Sequence, residues 1–315
     1  MHWLKRLGIV MMMVLLVGCG DEVVEDVASE PAETTDEAVC EDGQLYLDEE
    51  MICAPPLDCE GDDCATFGHE IVVELEDTYG SLIEEESVAV DGDLNVIATY
   101  DVDLEEELIE TEADISQDDV DYHGELWFDF AWLIPEYART EMDKFEVFES
   151  GSTLAHVYLN NPEEEIGRWT LGMNAQNIEL ASETMVTYIH EFAHLLSLRD
   201  EEVDYYADEA SCEGTWIDDM CFREDSYIAH YYDVFYTKEQ PETLDAFVSE
   251  YAMNSVTEDF AETFAHFVLT EQPTSTRLVD DKVTFFYQYT NLVELRADIL
   301  RRAVTWLEAS VVWDE

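Results

Sequence analysis

Five residues constrain this chain more than any other stretch: His190-Glu191-Phe192-Ala193-His194. On an α-helix the i, i+4 spacing stacks both imidazoles on one face, one turn apart. Two neutral imidazoles so placed can bind one metal ion, and Glu191 projects beside them where a carboxylate can act on a water. With 8 His and 45 Glu in 315 residues, chance produces such a match in roughly 3 chains of 100, so the flanks decide. Apolar residues at 185, 186, 189, 193 and 196 recur at helical spacing. They predict a buried stripe with His190 and His194 at its border, on the wall of a cleft. Ser182 is the expected N-cap, with Glu183 in the first turn and Arg199 at the C-terminal end. The alternative is a pair of satisfied core histidines with an incidental Glu, and a third ligand would separate the two.

The N-terminus reads as a targeting segment. His2, Lys5 and Arg6 make a basic start, and residues 7–17 are an apolar run too short to span a bilayer. The run ends in Leu16-Val17-Gly18-Cys19, which resembles the lipobox of bacterial lipoproteins, in which the Cys is lipidated and begins the mature chain. Residues 1–18 are then a signal peptide, and Cys19 anchors the protein to a membrane without spanning it. Gly20 rather than Asp follows, so the resemblance implies no inner-membrane retention and points to the outer membrane or cell surface. Residues 19–39, rich in Glu, Asp, Ala and Thr with little to bury, are expected to be an acidic tether.

Beyond Cys19, six cysteines remain, an even number in an exported chain. Short loops suggest Cys40 with Cys53, Cys59 with Cys64, and Cys212 with Cys221, although six cysteines allow fifteen connectivities. No C-x-x-C pair occurs, which argues against a thiolate zinc site. Residues 40–66 are expected to form a small disulfide-bonded segment, and 67–315 the main domain.

The formal net charge is -64, from 77 acidic and 13 basic residues. Such a surface repels nucleic acid and anionic membrane and suits a salty medium that screens the self-repulsion. Asp91-Gly92-Asp93-Leu94-Asn95 lacks the Gly and Glu of a calcium loop and reads as a hairpin turn.

Along the chain, 71–75 and 94–98 read as short strands and 101–121 as an acidic loop or frayed helix. Residues 126–134 read as a buried helix. Three strands are expected at 145–148, 154–159 and 168–173, directly before the His-Glu helix. Residues 200–240 look irregular, and the end is helical over 257–270 and 279–306 with one break. The fold class is α+β: a small mixed sheet packed on the 190–194 helix, then a mainly helical C-terminal half.

A third ligand is offered by residues 249–264. Phe260, Ala261, Phe264, Phe267 and Val268 make a helical apolar stripe. Thr257 can cap this helix, which places Glu258 in its first turn, with Glu262 four residues on along the same face. His190-Glu191-x-x-His194, then Tyr251, then Glu258-Asp259-Phe260-Ala261-Glu262 resembles the gluzincin class of zinc metallopeptidases. It is most similar to the branch that includes anthrax lethal factor, where a Tyr precedes the ligand Glu by seven residues and a second Glu follows it by four.

The resemblance is carried by the two motif helices, extends only weakly over the rest of about 125–290 and not to the N-terminal Cys segment, and implies a zincin-like metallopeptidase domain with one zinc ion per chain. It implies that His190, His194 and Glu258 bind zinc, and that Glu191 is the general base. Tyr251 would stabilise the oxyanion, and Glu262 would hold a ligand His from behind. In such folds the strand nearest the cleft pairs with an extended peptide substrate, and 168–173 is the expected strand. His266 lies one turn beyond Glu262 and reads as a core or surface residue; His69, His123, His156 and His230 have no metal spacing. A zinc-binding lipoprotein without catalysis, or a zinc amidase acting on cell-wall material, are the alternatives to a peptidase.

Overall fold

The computed structural model describes residues 44–47, 50–83, 94–103, 108–110, 115–160, 168–175, 181–238 and 241–312. Cys19, the tether, the Asp91-Gly92 turn and Cys40, with its expected bridge to Cys53, lie outside them. Strands β1 (Gln44–Leu47) and β2 (Glu50–Cys53) pair as a hairpin, followed by helix α1 (Asp63–Tyr79). The main sheet is built from β3 (Asn95–Asp103), β4 (Leu108–Glu110), β5 (Met142–Glu149), β6 (Ala155–Leu159) and β7 (Trp169–Asn174). Helix α2 (Gln117–Leu133) enters between β4 and β5, and α3 (Ala181–Leu198) follows β7. Hairpin β8 (Thr215–Ile217) and β9 (Met220–Phe222) leads to α4 (Tyr227–Phe235), α5 (Val256–Leu269), α6 (Leu278–Phe285) and α7 (Thr290–Val312). The class is α+β, as the sequence pattern predicts.

The strand order is β4-β3-β5-β7-β6, with only β5 and β7 parallel. The chain leaves β5, steps past one strand position to β6, and returns to fill the gap with β7. The short crossover is held by buried Asn174, whose Nδ2 donates to the carbonyls of Ser150 (2.8 Å) and Thr153 (2.7 Å). Alternation puts Tyr100, Phe145, Val147, Leu171 and Met173 in the core. The opposite face carries the row Thr99, Glu146, Gly172 and His156, aligned across four strands.

Several expectations are corrected. Residues 71–75 are helical, not a strand. Their β-branched run is overridden because Cys64, Gly68, Val72 and Leu75 share one face of α1, which packs against α7. Gly68 is needed there, since a Cβ would collide with the buried guanidinium of Arg296. The stretch 101–121 contributes to β3, all of β4 and the start of α2, whose N-cap Ser116 accepts from Asp119 N at 3.2 Å. Helix α3 begins at Ala181, so Ser182 falls inside its first turn. It is not edged by a stripe but buried at nearly every position from Thr184 to Ser197, as a central helix between β6, α2, α5 and α7. The hydrophobic core runs from Cys64 in α1 to Ala309 in α7. Two expected disulfides are present, Cys59–Cys64 and Cys212–Cys221.

The scarce basic residues are spent inside. Arg139, Lys282, Arg296, Arg301 and Arg302 are all buried, five of the chain's 13. Arg296 donates to the carbonyls of Phe267 (2.6 Å) and Thr270 (3.0 Å), which satisfies the C-terminal end of α5. Arg301 and Arg302 share Asp298 at 2.7 and 3.1 Å. No helix among the described residues is long and apolar enough to cross a membrane.

Candidate metal centre

Helices α3 and α5 supply the site, and packing fixes their approach. Phe192 of α3 and Phe264 of α5 are both fully buried, with ring centroids 6.1 Å apart. Truncating such a ring costs about 3–5 kcal/mol, so the two helices hold each other firmly. The start of α5 is set by Ser255, whose Oγ accepts from Glu258 N at 3.0 Å. Ser255, not Thr257, is therefore the cap, and Ser255-x-x-Glu258 is a capping-box pattern. Ordinarily the Glu of that pattern turns back to the cap; here its carboxylate faces the histidines.

Three donor atoms converge. His190 Nε2 and His194 Nε2 are 3.1 Å apart, and Glu258 Oε2 lies 3.2 Å from each. An ion bonded tetrahedrally at about 2.0–2.1 Å separates its ligands by about 3.3–3.4 Å, so the triangle has the size a small metal ion requires. Among the described residues this is the group of His, Cys, Asp and Glu able to hold a metal ion.

The opposite nitrogen of His190 decides what the triangle can be. Nδ1 of His190 lies 2.5 Å from Glu262 Oε1, which places the ring proton on Nδ1 and a lone pair on Nε2. A neutral His190 then presents an acceptor to the Glu258 carboxylate, an arrangement that a cation resolves. In the metal-free protein the proton balance shifts instead. Burial pulls the His190 imidazole down, but Glu258 and Glu262 outweigh it and hold its pKa well above the usual value. Burial pushes the Glu258 carboxyl up, and hydrogen bonds from the two imidazoles more than reverse this, leaving it well below the usual range. Glu262 is likewise lowered: burial raises it, while His190 and the Ser249 side chain bring it down.

Glu191 is buried beside the triad, and burial raises its carboxyl above the usual range, with His190 and His194 pulling the other way. Tyr251 opens a short 3₁₀ turn, Tyr251–Met253, and its ring centroid is 5.9 Å from that of His190. His266 lies one turn past Glu262, and burial lowers its imidazole pKa. The other histidines have different partners: Nδ1 of His123 meets Tyr100 Oη at 2.7 Å, and His156 stacks on Phe148 at 4.8 Å. Every metal and catalytic candidate from the sequence thus falls in one cluster; Cys19, the lipidation candidate, lies outside the described residues.

The strand expected to face the cleft, 168–173, does not have a free edge. As β7 it lies between β5 and β6, so both its ladders are consumed. The edge strand next to β7 is β6, which packs beside α3; the other edge is β4. Asn160 N donates to Arg168 O at 2.7 Å and Asn174 N to Leu154 O at 2.8 Å. By alternation His156 and Tyr158 turn their backbone groups to β7, and Ala155, Val157 and Leu159 turn theirs to the edge.

Other supports of the site are not singled out by the sequence pattern. Asp218 Oδ2 accepts from Thr257 N at 3.0 Å. Lys282 Nζ lies 2.7 Å from Asp259 Oδ2, with both side chains fully buried. Neither partner is near in sequence, so no local signal reveals them. Comparison of the chain with known protein families, with curated proteins and with solved structures finds no match in any of the three.

Proposed function

We propose that this chain is a zinc-dependent peptidase, in the main an endopeptidase, held outside the cytoplasm by a lipid on Cys19. The observation that carries the metal reading is Glu262 on Nδ1 of His190, which aims Nε2 at the point that His194 Nε2 and Glu258 Oε2 also face. Two imidazoles and one carboxylate favour zinc among the common divalent ions and leave a coordination position open. Zinc, when bound, supplies the Lewis acidity that makes water a nucleophile near neutral pH and polarises an amide carbonyl.

The chain's own residues supply the rest. Glu191 accepts the proton of the attacking water and delivers it to the leaving amine. Burial, which raises its affinity for a proton, suits a group that must both take and give one. Tyr251, beside His190, donates its hydroxyl to the oxygen that gains charge as the carbonyl is attacked. Glu262 keeps His190 in one tautomer throughout. The outward backbone groups of Ala155, Val157 and Leu159 on β6 pair with an extended peptide and set its direction across the site.

Metal analysis joined to cleavage profiling tests this. The purified protein should carry about one zinc. Glu191→Gln should retain that zinc and lower cleavage by about 10²- to 10⁴-fold. Equal activity of wild type and Glu191→Gln across a diverse peptide library would sink the peptidase reading.

A further inference from the structure

We propose that the β8–β9 hairpin is a clamp on the metal-ligand helix, with Asp218 at its tip acting as a positioning residue for Glu258. The proposal rests on the reading of His190, His194 and Glu258 as metal ligands. It starts from the orphaned N–H groups of a helix start. On α5 the cap is Ser255, so Thr257 and Glu258 occupy the second and third helical positions. Ser255 takes the N–H of Glu258, and Asp218, 39 residues earlier, takes the N–H of Thr257 at 3.0 Å. The ligand residue and its neighbour are thus tethered from two directions. One tether belongs to the helix itself and the other to a separate element.

The backbone of the turn points the same way. Asp218 and Asp219 have φ of 49° and 62°, and Ile217 pairs with Met220, so the hairpin is closed by two residues in the left-handed region. Asn-Gly is the favoured pair for such a turn, and two consecutive Asp residues are strained there. Strain of this kind persists where the surroundings over-determine it. A carboxylate acceptor opposite the positive end of α5 is what Asn-Gly or Gly-Gly would not supply in full.

The base of the hairpin is rigid enough to transmit a position. Cys212–Cys221 ties its strands to the preceding loop. Phe222 and Ile217 are buried in the core, and Val203 bridges to Phe222. Gly214 allows the loop to lie on the Phe222 carbonyl, where any Cβ would collide. Asp218 itself is exposed, so its replacement removes the tether without opening the core. The consequence is mechanical. Glu258 Oε2 must lie equally far from two imidazoles on another helix, and a slight roll of α5 would carry it off that point.

The experiment compares Asp218→Ala, Asp218→Asn and Asp219→Ala by zinc affinity in chelator competition and by hydrogen exchange at the Thr257 and Glu258 amides. Asp218→Ala should weaken zinc binding about 10-fold, in the range for residues that support a ligand from behind, and speed exchange at both amides. Asp218→Asn, which keeps an acceptor and tolerates positive φ, should restore most of the affinity. Asp219→Ala, which strains the same turn and removes the same charge, should stay near wild type. Equal losses at 218 and 219, or wild-type affinity for Asp218→Ala, would overturn the clamp. If wild type binds no zinc, the metal reading itself fails. Amide exchange in the metal-free proteins then still decides the clamp: selective acceleration in Asp218→Ala supports it, and unchanged exchange refutes it.

Discussion

Glu258 and Asp259 are adjacent in the first turn of α5, yet the fold treats their carboxylates in opposite ways. Asp259 turns into the protein, where the hydroxyls of Tyr231 and Tyr236 donate to it at 3.0 and 2.8 Å and Lys282 lies 2.7 Å away. The Lys282 ammonium also sits 3.9 Å from the Phe247 ring centroid. Burial raises the Asp259 carboxyl and lowers the Lys282 ammonium, each against the pull of its partner. Glu258 turns the other way, toward Nε2 of His190 and of His194, while Glu262 holds Nδ1 of His190 from behind. One carboxylate has a cation built into the chain beside it, and the other faces two imidazoles that can hydrogen-bond to it or join it around a metal ion. The difference leaves the Glu258 side as the one that could hold a cation from outside, and makes the Asp259 side an anchor of α5.

The pair of substitutions Asp259→Ala and Glu258→Ala tests the contrast most severely. Asp259→Ala leaves the Lys282 ammonium buried without a counter-charge and should cost about 3–5 kcal/mol in urea unfolding. Glu258→Ala should abolish zinc binding, with a loss below about 2 kcal/mol for the metal-free protein. Comparable destabilisation by both, or zinc retained by Glu258→Ala, would erase the distinction between anchor and ligand.

Tyr251 sharpens the contrast at a smaller scale, since it belongs to the Glu258 side without being a ligand. Tyr251→Phe should lower kcat about 10²-fold while zinc content stays near one per chain. A rate equal to wild type would reduce Tyr251 to a packing residue against His190.

Those same residues show what local pattern can carry. His190, Glu191 and His194 are legible because one helix sets their geometry, and Glu262 because it repeats the spacing on a second helix. Ser255 is equally legible through Ser255-x-x-Glu258, but the Thr257 hydroxyl two residues later competes with it as a cap in the sequence alone. Of the expected strands, 145–148 lies inside β5, while 154–159 and 168–173 match β6 and β7 to within one residue at each end. Their order was not legible: which strand is at the edge depends on a crossover held by Asn174, which is long-range information. Residues 71–75 fail for a related reason, since their helical state depends on α7 more than two hundred residues away. Asp218 and Lys282 reach α5 only in three dimensions.

Acidity offers the smallest effect and the finest test of which charge belongs in the triangle. In the metal-free protein the His190 pKa is raised, so its contribution is complete below the unfolded value of 6.5 and is lost as pH rises through the folded value. The Glu258 pKa is lowered, so its contribution is complete above 4.5 and is lost as pH falls through the folded value. The metal-free site is therefore most stabilising between about 4.5 and 6.5. Zinc reverses the upper limb, because protons compete with it for both imidazoles and its contribution grows as they leave. Melting temperature against pH, with zinc and with chelator, should consequently show opposite slopes above pH about 6.5, and His190→Gln should flatten both. Parallel curves would mean that the triangle is an ordinary buried ion pair, neutralised like Asp259 from within.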